Sequence, residues 1–162
     1  MKKLIVSFAL MVITLASYAQ VYKMYSTRNY HNQLRLNTMT GEVQQIQDDG
    51  QSWIICSARE ISGDKESRFC LYETQNMWTF ILLDSYNGRL WQVQYSTQDL
   101  DNLFCIPINK YELVSDNENC IFSIQPLTSM YQYYLINDRT GDMWKFQWST
   151  KGDDYRWIEK FK

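Results

Sequence analysis

A nucleophile–histidine mechanism in this chain would have to run through His31, because the sequence contains one histidine. Imidazole is the usual base for a serine or cysteine nucleophile near neutral pH. His31 sits between Tyr30 and Asn32, the setting of a surface-loop side chain. Paired carboxylates offer a second route, since an acid and a base together can split a glycosidic bond. Asp84 with Asp138, and Asp153 with Asp154, are candidates. The first two are turn residues and the second two fall in a polar loop, so solvated loop chemistry accounts for both pairs. The run Asp116-Asn117-Glu118-Asn119 is rich in oxygen ligands but lacks the glycine-centred spacing of a dedicated calcium loop. No catalytic residue, metal ligand or cofactor is read from these residues, and the enzyme question leans towards no.

The four cysteines are Cys56, Cys70, Cys105 and Cys120. Zinc fits them poorly, because no Cys-x-x-Cys pair occurs and His31 is distant in sequence. Oxidation is plausible in an exported chain, and four cysteines permit three pairings. Repeat symmetry favours Cys56–Cys70 and Cys105–Cys120, each closing a loop of about 15 residues and contributing about 3 kcal/mol. Buried free thiols are the alternative.

Residues Met1 to Ala19 combine Lys2-Lys3, an apolar stretch from Leu4 to Leu15 and the small-residue exit Ser17-Tyr18-Ala19, the three parts of a secretory signal peptide. Cleavage is expected before Gln20. The apolar run is short of the roughly 20 residues of a membrane span. A secreted or periplasmic product is therefore expected, without stable membrane insertion once the leader is removed. Losing Lys2 and Lys3 leaves 14 basic against 18 acidic side chains, which argues against a nucleic-acid partner. Residues 20–162 suit one domain.

That domain is built on a repeat. Thr40-Gly41-Glu42-Val43-Gln44, Asn87-Gly88-Arg89-Leu90-Trp91 and Thr140-Gly141-Asp142-Met143-Trp144 each follow an apolar run and precede a Gln-rich alternating one. With the glycines in register, Tyr22, Phe69 and Phe122 coincide, as do Leu36, Leu83 and Ile136. Asn37, Asp84 and Asn137 stand four residues before the glycines, able to start the turn that the glycine closes. Trp91, Val93 and Tyr95 alternate with Leu90, Gln92 and Gln94, and Trp144, Phe146 and Trp148 with Met143, Lys145 and Gln147, a period of two that means strand. The aromatic side of each strand is expected to be buried, and the Gln side to face water or a partner. Copy one has Gln44, Ile46 and Asp48 in place of the aromatics and should pack less tightly.

Further apolar runs flank each hairpin, at Val21 to Tyr25, Arg68 to Glu73 and Ile121 to Gln125 before it, and at Trp53 to Cys56, Leu103 to Ile108 and Tyr155 to Phe161 after it. The sequence thus predicts an all-β domain of three repeats (about 21–56, 68–108 and 120–161), each of about four short antiparallel strands. A β-trefoil-like closed body is the expected closure, with a small propeller-like or barrel arrangement as the alternative, since propellers normally carry at least four blades.

The hairpins Leu83-Asp84-Ser85-Tyr86-Asn87-Gly88-Arg89-Leu90-Trp91 and Ile136-Asn137-Asp138-Arg139-Thr140-Gly141-Asp142-Met143-Trp144 resemble the Leu-Asp-x-x-Thr-Gly-x-x-Trp element of quinoprotein-like propeller blades. The chain also resembles small exported repeat proteins of unknown function from gut anaerobes. Neither resemblance implies an activity.

The remaining signal is twelve Tyr, six Trp and seven Phe, with Gln47, Gln94 and Gln147 at one repeated position. Aromatic faces stack on sugar rings while neighbouring amides bond the hydroxyls. The expected function is an exported noncatalytic binding module, its partner a glycan or another exported protein. An interaction or inhibitor domain presenting loops such as Gly63 to Ser67 and Asp116 to Asn119 is the alternative, and a hydrolase ranks third. The binding candidates are Trp78, Tyr86, Tyr131 and Arg139, at or near hairpin turns, with Gln94 and Gln147 on the polar faces.

Overall fold

The computed structural model describes residues 20–116 and 121–161, so Met1 to Ala19 and Cys120 lie outside the described residues. Each repeat forms its own four-stranded antiparallel meander. The first sheet is β1 (Tyr22–Ser26), β2 (Asn32–Asn37), β3 (Val43–Gln47) and β4 (Ser52–Cys56). The second is β5 (Phe69–Glu73), β6 (Thr79–Asp84), β7 (Leu90–Gln94) and β8 (Phe104–Pro107), and the third is β9 (Phe122–Pro126), β10 (Gln132–Asn137), β11 (Met143–Gln147) and β12 (Trp157–Lys160). Among the described residues, helix comprises one turn, α1 (Ala58–Ile61), and short 3-10 turns such as Leu100–Asn102 and Asp153–Tyr155.

The central hairpin of each repeat closes as its side chains require. Asn37 Oδ1 accepts the Met39 N–H at 3.0 Å, Asp84 Oδ1 accepts the Tyr86 N–H at 3.1 Å, and Asn137 Oδ1 accepts the Arg139 N–H at 3.0 Å. Gly41, Gly88 and Gly141 then adopt φ of 77°, 76° and 76°, a region that residues with a Cβ enter only at a cost. Each glycine N–H returns to the carbonyl of the residue that opened the turn, at 2.9, 3.0 and 2.8 Å.

The three sheets stack face to face. One hydrophobic cluster joins Leu34, Leu36 and Val43 of the first sheet to Phe80, Leu82, Trp91 and Val93 of the second. The other joins Ile81, Leu83 and Leu90 of the second sheet to Tyr133, Leu135, Trp144 and Phe146 of the third. The second sheet is thus buried on both faces, and every residue of β6 is buried. Gln92, expected on a water-facing side, is fully buried as a result. Copy one lacks the aromatics because its equivalent face is the outer surface of the stack: Tyr22, Met24 and Gln33 are exposed there. Its other face is as tightly buried as any, with Leu34, Leu36 and Val43 at 0 % exposure.

A trefoil-like closed body needs strand pairing that runs on around the molecule. Among the described residues the strand ladders stay within each repeat. The sheets are joined by side chains and by single backbone bonds, from the Phe69 N–H to the Thr38 carbonyl (2.9 Å) and from the Phe122 N–H to the Ser85 carbonyl (2.8 Å).

The disulfide corrects the pairing expected from symmetry. Cys56 bonds Cys105, with Cα atoms 5.2 Å apart, and among the described residues Cys70 is a free thiol. The symmetric pairing assumed that the last strand of one copy lies along the first strand of the next. Face-to-face stacking instead sets β4 against β8. Cys56 stands opposite Val43 and Cys105 opposite Val93 in the strand registers, so both point into the junction of the first two sheets. Cys70 stands opposite Leu83 on the other face, turned towards the third sheet.

Candidate functional site

At the end of each sheet away from the glycine turns, one construction recurs. His31, Trp78 and Tyr131 end the turn between a repeat's first two strands. The N–H of each donates to a short polar side chain two residues earlier, at 3.1 Å to Asn29 Oδ1, 2.8 Å to Asn76 Oδ1 and 3.4 Å to Ser129 Oγ. The carbonyl of each accepts the N–H of the residue after the repeated glutamine: Asp48 at 3.0 Å, Tyr95 at 3.1 Å and Trp148 at 3.1 Å. A ring and an amide are thereby set side by side in every copy, as Trp78 with Gln94 and Tyr131 with Gln147.

A concavity lies at this place in each repeat. In the second it measures about 450 Å³ and is lined by Trp78, Gln94, Tyr95, Gln98, Asp99 and Asn102 among others. It shares Trp78, Gln94 and Asn102 with a second cleft of about 500 Å³, walled by Asn76, Phe104, Ile106, Ser149 and Arg156, between the second and third sheets. The third repeat has about 180 Å³ beside Tyr131, Gln147, Trp148 and Tyr155, and the first about 210 Å³ beside Tyr30, His31, Gln47 and Asp48. The walls of the larger clefts come from the connections at residues 95–103 and 148–156, which are longer than residues 48–51 of the first repeat. That spacing difference after the repeated glutamine is the sequence signal that could have found Gln98, Asn102 and Arg156.

Part of the amide chemistry is already engaged. Gln94 Nε2 donates to the Asn102 carbonyl at 3.3 Å, and Gln147 Nε2 donates to the Tyr155 carbonyl at 3.0 Å while its Oε1 accepts from Gln132 Nε2 at 2.8 Å. Trp78 is half-buried, its ring centroid 5.3 Å from that of Tyr95 with the planes tilted by 52°, and it borders both clefts. Tyr131 repeats this against Trp148 at 4.9 Å.

Tyr86 and Arg139 do not join this group. They lie in the glycine turns at the opposite end of the sheets, about 20 Å away along a six-residue strand. Lys65 and Arg68 cover the Tyr86 ring, 5.0 and 5.8 Å from its centroid.

A carboxylate raised by burial, Asp84, is also at the turn end. Arg68 is buried and forks to Asp84 through Nε (2.9 Å) and Nη2 (2.7 Å), and to Asp116 through Nη1 (2.9 Å) and Nη2 (3.0 Å). Burial pushes the Asp84 carboxyl up against the pull of Arg68. Burial works to lower the guanidinium, but its two carboxylates outweigh it and leave it raised. Asn87 Nδ2 bonds Asp116 (3.0 Å) and Glu112 (3.2 Å), so the cluster fastens the connection between sheets two and three to the hairpin. Its role is structural, and Asp138, the proposed partner of Asp84, bonds Ser123 instead.

His31 Nδ1 lies 2.6 Å from Asp48 Oδ2, with both side chains mostly exposed, and this hydrogen bond lowers the Asp48 carboxyl. No serine, threonine or cysteine lines the adjoining concavity. Asp153 pairs with Arg156, and Asp116 of the suggested calcium run is held by Arg68 while residues 117–119 lie outside the described residues. Among the described residues no group of three or more His, Cys, Asp or Glu could hold a metal, and no helix is long and apolar enough to cross a membrane. No protein-family model matches this chain, and no curated protein or solved structure matches it.

Proposed function

We propose that this protein is an exported, noncatalytic binding module that takes a glycan at the Trp78 end of the second sheet. The observation that carries the reading is a half-exposed indole bordering an open cleft together with the amides of Gln94, Gln98, Asn102 and Asn76. An indole face stacks on the C–H face of a pyranose, and amides both donate to and accept from hydroxyls. Tyr131 beside Gln147 supplies a smaller second position. Export, to the periplasm or beyond, rests on the leader-like Met1 to Ala19 and agrees with a disulfide whose Cys56 is fully buried. Three separate face-stacked meanders favour the propeller-like alternative over a trefoil, in keeping with the blade-like hairpins. The reading of an interaction or inhibitor domain keeps the loop at residues 63–67, though Lys65 is drawn towards the Asp116 carbonyl at 3.4 Å.

The test is a tryptophan-fluorescence titration of the purified, oxidised protein against a panel of host and microbial polysaccharides. Saturable quenching by one of them, lost in Trp78→Ala and weakened in Gln98→Ala, is the expected result. Trp78 packs on Tyr95 and the first cluster, so its removal also costs stability. Gln98 is exposed and its variant should melt like the parent. Silence across the panel, or quenching indifferent to both substitutions, refutes the glycan reading and leaves the protein-partner one.

A further inference from the structure

Both junctions inside the stack use the same two faces. The face bearing Leu34, Leu36 and Val43 meets the aromatic face of the second sheet, and its repeat equivalent, Ile81, Leu83 and Leu90, meets the aromatic face of the third. Each junction is also fastened by the same polar devices. Gln45 Oε1 accepts the Ser96 N–H at 3.2 Å and its Nε2 donates to the Ser96 carbonyl at 2.7 Å, while Gln92 Oε1 accepts the Ser149 N–H at 3.2 Å. At the turn end, the Thr38 and Ser85 carbonyls take the N–H groups of Phe69 and Phe122.

Each end of the chain therefore carries an unused half of this junction. On the third sheet it comprises Tyr134, Ile136 and Met143, each half-buried, with Phe161 at 48 % exposure. On the first sheet it comprises Tyr22 (51 %), Met24 (48 %) and neighbouring Ile54 (57 %), around Arg35 and Gln44. Lys145 occupies the place of Gln45 and Gln92, and the repeat position of Ser96 and Ser149 is Asp49, next to Asp48. The geometry of the internal junctions, continued once more, sets the Lys145 ammonium against two carboxylates. It also sets the Asp138 carbonyl opposite the Tyr22 N–H.

We propose that two copies of this chain stack head to tail, the outer face of the third sheet of each on the outer face of the first sheet of the other, closing a ring of six sheets. A heterologous contact either closes into a ring or grows into a filament. Three blades are too few for a propeller, while six fall within the roughly four to eight that close one. The charge match of Lys145 with Asp48 and Asp49 gives the contact its direction, since neither end is complementary to itself in this way.

Sedimentation velocity and native mass spectrometry test the proposal. The purified, oxidised protein should be a dimer. Lys145→Glu and Asp48→Lys should each be monomeric, with the parent's circular-dichroism spectrum and a melting temperature that, unlike the parent's, does not depend on protein concentration. Mixing the two variants should restore the dimer, because one junction is then native and the other pairs Glu with Lys in reverse. A parent that stays monomeric at its highest soluble concentration overturns the proposal. So does a dimer that survives both substitutions, a dimer broken by only one of them, or a mixture that remains monomeric.

Discussion

Replacing Cys56 and Cys105 together by alanine tests the stacking order of the sheets through the loop that the disulfide closes. The two cysteines are 49 residues apart in sequence. In the chain-entropy relation a loop of that length restrains the denatured chain by about 4 kcal/mol, against about 3 kcal/mol for the 15-residue loop of a Cys56–Cys70 bridge. Cys56 is fully buried, so the small gap left by alanine adds a cost of up to about 1 kcal/mol. The expected loss is about 4 to 5 kcal/mol, a large share of the roughly 5 to 15 kcal/mol that holds a domain together. Urea denaturation without reductant, followed by tryptophan fluorescence, reads it directly. The denaturant slope should rise in the variant, because an uncrosslinked chain exposes more surface when unfolded, and a cavity alone would leave the slope unchanged. Cys56→Ala alone should lose nearly as much as the pair, whereas Cys70→Ala should retain the bridge. A peptide map of the unreduced protein linking Cys56 to Cys70, or a double variant losing less than about 1.5 kcal/mol, would refute the face-to-face placement of β4 on β8.

Other perturbations follow from the same geometry. Alanine at the three turn glycines, which share one φ, should cost about 1 kcal/mol at Gly141, where the added Cβ meets nothing within 4 Å. It should cost more at Gly88, where the Cβ comes 3.0 Å from Leu113 Cδ1, and most at Gly41, where it collides with Ile61 Cγ2; equal losses in urea melts would contradict the packing of the connections over the turns. Asp84→Asn should cost about 3 to 5 kcal/mol by stranding buried Arg68, while Asn at Asp64, whose side chain is 79 % exposed, should melt like the parent. Gln45→Met should destabilise clearly more than Gln92→Met, because Gln45 loses bonds to Asn32 and Ser96 whereas Gln92 Nε2 has no partner to lose. Burial pushes the Tyr72 phenol up to about 12 from 10.0, so its neutral form contributes stability that is full below pH 10 and lost as pH rises towards 12. Tyr72→Phe should flatten that alkaline decline in pH-dependent melts, and an unchanged decline would place its cause elsewhere.

The hairpins were legible because Asn37, Asp84 and Asn137 with their glycines leave the backbone few alternatives, and because a period of two is unambiguous over Leu90–Gln94 and Met143–Gln147. The stack was not read from the same strands, since alternation implies one wet face and the second sheet has none. Its signature was present in β6, where Phe80 to Leu83 is continuously apolar, the pattern of a strand covered on both sides. Copy one looked degenerate for want of the same idea: Gln44, Ile46 and Asp48 stand where aromatics would meet another sheet, and among the described residues none covers that face. Disulfide pairing depends on which strands face each other across a junction, and repeat symmetry along the chain carries no such information. For the candidate site, the choice by hairpin turn and repeated glutamine took in Trp78 and Gln94, and Tyr131 and Gln147, which are neighbours in the structure. It also gathered Tyr86 and Arg139, because closeness to a hairpin turn does not distinguish the two ends of a sheet.

Those two ends differ in what their polar groups are already doing, and this decides where a ligand has room. At the glycine end, the Thr38 and Ser85 carbonyls, the Arg68 cluster and the apolar plugs Ile61 and Leu113 all serve the junctions between sheets. A ligand binding there would have to displace contacts that hold the stack together. At the Trp78 end the junctions are tied by Gln45 and Gln92, which lie behind the surface with both glutamines fully buried, and by Arg28, which reaches Glu73, Thr74 and Gln75 at the edge of the first junction. The connections in front of them are longer in repeats two and three than in repeat one, and their exposed amides at Gln98 and Asn102 hold no strand in place. Extra chain length at this end adds cleft wall without touching the junctions, so variation in a binding surface can accumulate here while the stacked core stays the same.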